Sequence, residues 1–164
     1  MILLNLNKKS DVALLRIALS SEYAADALLS PQIINKVKLA YILLNDSRDP
    51  VGVGGLYYQR YFFRDLFITL HQSERGKGSG GKLLDLIINH SAKDGIAIFL
   101  QTYNIEKYSQ AIKLYENRGF KLVGEFRKKI IMCSSNTKLW LKLLRISIFY
   151  AENFIKCVVL SREN

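Results

Sequence analysis

The spacing of the apolar residues changes part-way along this 164-residue chain, and this change constrains the fold more than any other feature. In the first half, runs rich in branched and aromatic residues at 38–45, 51–58 and 62–70 are joined by short connections, which is typical of an antiparallel meander. Gly80–His90 then carries leucines and isoleucines at helical spacing. The pattern predicts an α/β (α+β) fold in which strands pack against helices.

Further elements are predicted on both sides of these. The chain begins with a short strand at 2–6, a helix capped by Ser10 and a second helical stretch at 21–29. Its second half adds a strand at 96–102, a helix at 108–118 and a pair of strands at 120–132 and 137–149. Residues 150–160 fit a closing strand, a packed helix or an oligomer contact.

The composition is that of an ordinary globular protein, with 49% hydrophobic and 23% charged residues. Because the sequence shows neither a linker nor an internal repeat, we expect one domain over residues 1–164, with 150–164 as a C-terminal packing or oligomer extension. No apolar run reaches roughly 18 residues, and the N-terminus lacks the features of a signal peptide. Two distant cysteines argue against a disulfide framework or a metal site and favour the reducing cytoplasm.

The formal net charge is +10, from 24 Lys and Arg against 14 Asp and Glu. An excess of this size attracts nucleic acid, an acidic membrane surface or a polyanionic small molecule, or it serves solubility alone. The charge therefore needs a site before it indicates a partner.

The stretch Arg75–Lys82, RGKGSGGK, is the most informative part of the sequence. It places four glycines and three cations between a predicted strand and a predicted helix. Unpaired N–H groups at a helix start, together with the helix dipole, attract anions. Glycines let the backbone approach a phosphate closely, where side chains would block it. We therefore expect this turn to bind a phosphate or diphosphate group.

Three known motifs compete for this stretch, besides a glycine-rich turn that binds nothing. A dinucleotide fingerprint needs an acidic residue near the end of the next strand, where this chain has Gln101. An ATP-binding P-loop needs a hydroxyl residue after its lysine, where this chain has Leu83. The third motif, R-x-x-G-x-G, is matched by Arg75, Gly78 and Gly80. It is the diphosphate loop of acyl-coenzyme-A-dependent N-acetyltransferases.

A second motif follows about forty residues downstream, in Ala111–Phe120 (AIKLYENRGF). It is similar to a helix with an alanine, then leucine-tyrosine, ending in glycine-phenylalanine. With both motifs in this order, enclosing a helix and a strand, residues 51–124 resemble the GNAT-type (GCN5-related) N-acetyltransferase family.

The resemblance implies a GNAT-like mixed, mostly antiparallel sheet of six to seven strands flanked by about four helices. Strands 4 and 5, at 62–70 and 96–102, would run parallel and splay apart around acetyl-coenzyme A (acetyl-CoA). Pantetheine would pair with the backbone near Ile68 and Leu70, and the Leu70 N–H would donate to the thioester oxygen. The remaining implied cofactor contacts are Arg75, Gly76, Lys77, Gly78, Ser79, Gly80, Gly81 and Asn104, and no metal is implied.

Tyr115 is the catalytic residue that the resemblance implies, as the proton donor to the departing thiolate. A general base for the attacking amine is left open, because the positions that often carry glutamate in the family hold Leu66 and Gln101 here. The candidates are Asp65, His71, Glu22 and solvent.

The acceptor implied by the resemblance is a primary amine of a small molecule or of a protein or peptide. The charge distribution suggests an alternative function, because six Lys or Arg and one Glu lie between Lys121 and Lys142. The chain would then be RNA-associated, either as a tRNA-directed acetyltransferase or as a non-catalytic acyl-CoA/RNA-binding module. A homodimer is also left open.

Overall fold

The computed structural model describes residues 1–20, 31–60, 63–92, 97–103, 105–134 and 139–160. The chain separates into two compact units, Met1–Ile96 and Ala97–Asn164, which are described in turn. The predicted helical stretch at 21–29 lies outside the described residues, as do Glu22 and Asn104. A single domain over residues 1–164 stays a prediction.

The first unit contains four strands in an antiparallel meander, as predicted. The strands are β1 (Ile2–Leu3), β2 (Val37–Leu44), β3 (Pro50–Arg60) and β4 (Phe63–Leu70). Two α-helices, α1 (Lys9–Ser20) and α2 (Ser79–Ala92), and two 3-10 turns, Pro31–Lys36 and Gln72–Glu74, complete the described part of this unit.

The two helices cover opposite faces of this sheet. Leu15 of α1 packs in one buried cluster with Val53 of β3 and Phe67 of β4. On the other face, Ile87 of α2 lies so close to β3 that a Cβ on Gly54 would be 3.2 Å from its Cδ1 atom. Because successive residues of a strand point to opposite faces, β3 serves both layers at once.

Gly55 lies where β3 packs most tightly. A Cβ at this position would overlap the carbonyl oxygen of Leu39 and lie 2.9 Å from Cζ of Phe67. We expect Gly55→Ala to lower the free energy of unfolding by about 3 kcal/mol, because backbone atoms have to shift. Urea unfolding measures the loss. The control is Gly76→Asn, because Asn tolerates the positive φ of +78° and its Cβ would meet nothing within 4 Å. Equal losses in both variants would contradict the packing argument.

The second unit contains a three-stranded antiparallel sheet in the order β5–β7–β6. Its elements are β5 (Ile98–Tyr103), a 3-10 turn (Glu106–Tyr108), α3 (Ser109–Glu116), β6 (Phe120–Phe126), β7 (Lys129–Ser134) and α4 (Leu139–Leu160). Gly119, with φ +80°, follows α3 in the left-handed conformation that commonly ends a helix.

The predicted strand pair at 120–132 and 137–149 is wrong. The hairpin turns earlier, at Arg127 and Lys128, and the segment after it is a single helix of 22 residues. The buried residues Arg145, Phe149 and Asn153 recur every four positions, which places them on one helix face. Residues 150–160 belong to this helix, which excludes the closing strand, and the oligomer contact stays a prediction. None of the described helices combines the length and the apolar character that a membrane span requires.

Candidate functional site

The glycine-rich turn of the first unit leads from the 3-10 turn Gln72–Glu74 into α2. Gly76 and Gly78 have φ values of +78° and +80°, in the left-handed region that glycine adopts without strain. A Cβ at either position would meet nothing within 4 Å. The backbone at this turn is therefore bordered by open space on the side where side chains would otherwise project.

The amide groups at the start of α2 have the arrangement expected of an anion site. The first bond of the helix runs from the Lys82 N–H to the Gly78 carbonyl, at 3.1 Å. The amides of Ser79, Gly80 and Gly81 therefore have no carbonyl one turn earlier to accept from them within the helix. These three residues are buried, whereas residues 75–78 are exposed. The positive end of the helix dipole adds to the attraction for an anion.

Arg75 connects this turn to the end of β4. Its backbone N–H donates to the Gln72 carbonyl at 3.1 Å. Its side chain folds back, and Nε donates to the Leu70 carbonyl at 3.3 Å. The structure thus brings together two of the residues predicted for the site, Leu70 and Arg75.

The backbone groups of Ile68 and Leu70, the predicted pantetheine contacts, point away from β3. The His71 N–H donates to the Val51 carbonyl at 2.8 Å, so every second pair from there exchanges hydrogen bonds with β3. Leu70 and Ile68 pair in register with Gly52 and Gly54, between those bonded pairs. Their N–H and C=O groups therefore point to the side of β4 that faces away from β3.

Glu74 also belongs to this turn, and the sequence analysis missed it. Its carboxylate accepts hydrogen bonds from Ser79 Oγ at 3.0 Å and from Lys77 Nζ at 3.3 Å. The Ser79 hydroxyl, followed by the Lys77 ammonium, holds the pKa of Glu74 below its ordinary value. Glu74 lies one residue before the stretch Arg75–Lys82 and three residues before Lys77, a spacing at which Glu and Lys side chains can pair.

The described candidates for the general base lie in different surroundings. His71 is exposed, and its Nδ1 lies 2.8 Å from Ser73 Oγ and caps the 3-10 turn. Asp65 is buried in β4, paired in register with Tyr57, on the sheet face that α1 covers. Leu66, which holds the position that often carries glutamate in the family, points to the opposite face. Asp65 is one residue away from that position in the sequence and therefore lies on the other face of the sheet. The candidates for the base stay Asp65, His71, Glu22 and solvent.

Tyr115 lies in the second unit, near the end of α3. Its side chain is buried, with 9% of its surface exposed, and its ring meets that of Phe120 edge-on with centroids 6.0 Å apart. Burial raises the pKa of Tyr115 from 10.0 to about 12. The phenol therefore keeps its proton throughout the neutral range.

The raised pKa makes stability depend on alkaline pH. Below pH 10 the phenol is protonated in both states, so its contribution is complete; between pH 10 and 12 the unfolded chain ionises first. Ionisation of Tyr115 should then make the free energy of unfolding about 1.4 kcal/mol lower at pH 11 than at pH 8. Tyr115→Phe should lack this fall. Urea unfolding of both proteins at pH 8, 10 and 11 measures it, and a difference that stays constant with pH would contradict it.

Among the described residues, no group of three or more His, Cys, Asp or Glu side chains could hold a metal ion.

Comparison with known families decides the assignment. The family model of the acetyltransferase (GNAT) domain matches residues 38–122, just over half of the chain. The chain belongs to the GNAT acetyltransferase family. The match includes the glycine-rich turn and Tyr115. A comparison with curated proteins gave no match.

Solved structures show the same fold for this GNAT protein. It is similar to an aminoglycoside 6'-acetyltransferase type Ii, with a TM-score of 0.60 and 21% identity over 84% of this chain and 99% of that one. It is also similar to the ribosomal-protein-S18-alanine N-acetyltransferase from Escherichia coli, with a TM-score of 0.59 and 19% identity over 77% and 88%. A third is an aminoglycoside 6'-N-acetyltransferase complexed with coenzyme A, with a TM-score of 0.57 and 18% identity over 84% and 98%.

The GNAT-like α/β fold predicted from the sequence is thereby confirmed, with seven strands and four α-helices among the described residues. The enzyme class is confirmed as well, because the GNAT domain is an acetyltransferase domain. GNAT acetyltransferases use acetyl-CoA to acetylate amines.

Proposed function

We propose that this protein transfers the acetyl group of acetyl-CoA to a primary amine of a small molecule or of a protein or peptide. The observation that carries the proposal is the turn Gly76–Gly81. Its first two glycines, Gly76 and Gly78, border open space, and its last amides begin a helix without intrahelical acceptors. This is the arrangement that a diphosphate needs.

The residues of the first unit fit the coenzyme. The amides from Gly76 to Gly81 would hold the diphosphate, and Lys77 would add positive charge. The predicted contact through the Arg75 amide does not fit, because this N–H donates to the Gln72 carbonyl. The outward-facing backbone groups of Ile68 and Leu70 would pair with the pantetheine arm. When bound, acetyl-CoA supplies an acyl carbon activated for attack by an amine. Asn104 stays a predicted contact.

Tyr115, predicted from the resemblance as the proton donor, is proposed to act on the departing thiolate. With a pKa of about 12, the Tyr115 hydroxyl is protonated at neutral pH and available to donate. A thiol has an ordinary pKa of about 8.5, so full transfer of the phenol proton to a departing thiolate is uphill. The contribution of Tyr115 Oη is therefore a hydrogen bond to the developing negative charge, with solvent completing the protonation.

The acceptor is proposed only as an amine. The structural relatives named above include enzymes whose names give an aminoglycoside and a ribosomal protein as acceptors, so both small and protein amines are to be tested. The cysteine content favours the cytoplasm as the compartment.

Thermal unfolding with and without acetyl-CoA tests the first half of the proposal. A ligand at 100 times its Kd stabilises the folded state by about 2.7 kcal/mol. A panel of free amines, aminoglycosides and peptide N-termini, followed by thiol release, tests the second half. Failure of millimolar acetyl-CoA to raise the melting temperature would overturn the proposal.

A further inference from the structure

The turn that is proposed to bind the diphosphate already contains an anion of its own. The Glu74 carboxylate contacts two groups of the turn at once, Lys77 Nζ at 3.3 Å and Ser79 Oγ at 3.0 Å. One of these is the ammonium closest in sequence to the open glycines. The other lies on the first residue of α2, where the amides of the proposed site begin.

The contacts of Glu74 differ in strength. Its side chain retains 20% of its exposure and that of Lys77 retains 61%, so water screens this ion pair and a stronger anion can break it. Ser79 is buried, and its hydroxyl bond fixes the carboxylate beside the helix start. The Glu74 charge therefore stays near the amides even when Lys77 turns to another partner.

From these contacts we propose that Glu74 is an internal counter-ion that competes with the coenzyme diphosphate and so limits affinity for acetyl-CoA. This inference rests on the proposed function of the turn. While the turn is empty, the carboxylate neutralises Lys77. When a diphosphate binds, Lys77 has to be shared, and the retained negative charge repels the ligand. A moderate affinity favours release of the product coenzyme, which carries the same diphosphate.

Glu74→Gln separates charge from geometry. The amide oxygen can still accept the Ser79 hydroxyl bond, while the negative charge is lost. We expect Kd for coenzyme A, measured by calorimetry, to fall roughly three- to tenfold, because like charges a few ångströms apart repel measurably even in water. Kd for acetyl-pantetheine, which lacks the diphosphate, should not change. Glu106→Gln, an exposed site in the second unit, controls for the change in overall net charge.

A double-mutant cycle gives a readout that a merely structural role would not move. Lys77→Met should weaken coenzyme A binding more in the Glu74→Gln background than in the wild type, because the ammonium is then no longer shared. Unchanged or weaker binding of Glu74→Gln, or equal effects of Lys77→Met in both backgrounds, would overturn the inference. If the wild type itself fails to bind coenzyme A, the proposed function fails instead.

Discussion

Tyr115→Phe is expected to lower kcat by on the order of 10²- to 10³-fold, the usual cost of removing one hydrogen bond to a developing negative charge. The change removes one oxygen from a side chain that is buried against Phe120 and leaves the ring in place. Kd for acetyl-CoA should stay within about twofold of the wild type, because the proposed contacts with the diphosphate lie in residues 76–81. Steady-state kinetics with the best acceptor of the panel, together with calorimetry, measures both quantities.

Two outcomes would contradict this role. If acetyl-CoA binding collapses in Tyr115→Phe while the far-UV spectrum is unchanged, the hydroxyl serves the structure of the binding site. If kcat is unchanged, the chemistry does not use this phenol. Tyr108→Phe provides a matched control, because it removes a tyrosine hydroxyl from the residue that precedes α3.

The second large effect is expected at Gly78, where aspartate should weaken acetyl-CoA binding on the order of 10²-fold more than asparagine. The two side chains have the same size, and both tolerate the φ of +80°. The new Cβ would meet nothing within 4 Å, so both variants should fold. Only aspartate places a fixed negative charge beside the amides. Its repulsion of a doubly charged diphosphate at about 4 Å amounts to about 2 kcal/mol in water and more near the protein surface.

Calorimetry of both Gly78 variants at low and moderate salt measures this difference. The gap between aspartate and asparagine should narrow as salt rises, because screening acts on the charge term alone. Equal losses of affinity in the two variants, independent of salt, would show that position 78 acts through shape. The turn would then lose its assignment as an anion site.

The first unit follows closely from local sequence signals. Three apolar runs with short connections define β2, β3 and β4, and the leucines and isoleucines of Gly80–His90 define α2. Positive φ values at Gly76 and Gly78 are what a glycine-rich turn at a helix start requires. These elements can be predicted because the spacing of apolar residues in each one agrees with which residues are buried.

The end of the chain could not be predicted in the same way. Residues 139–160 mix branched and aromatic residues with few charges, which suits a strand as well as a helix. Buried residues recur every four positions in this segment. One of them is the charged side chain of Arg145, which would be expected on the exposed face of a strand. Tertiary packing favours the helix here, and it cannot be predicted from the spacing of residues within one segment.

Glu74 was missed for a different reason. Its significance depends on two side chains that turn back to it, Lys77 and Ser79, and on the backbone path that brings them within 3.3 Å. A sequence shows the charges but not which of them meet. Similarly, the outward direction of the Ile68 and Leu70 backbone groups depends on the register of β4 against β3.

The most direct test of the central claim is an amide NMR titration of the ¹⁵N-glycine-labelled protein, whose ten glycines give a simple spectrum. The account predicts that coenzyme A shifts the amide resonances of Gly76, Gly78, Gly80 and Gly81. It also predicts that acetyl-pantetheine leaves them in place, because it carries no diphosphate. Loop glycine resonances that do not move at saturating coenzyme A would contradict the claim that these amides hold the diphosphate.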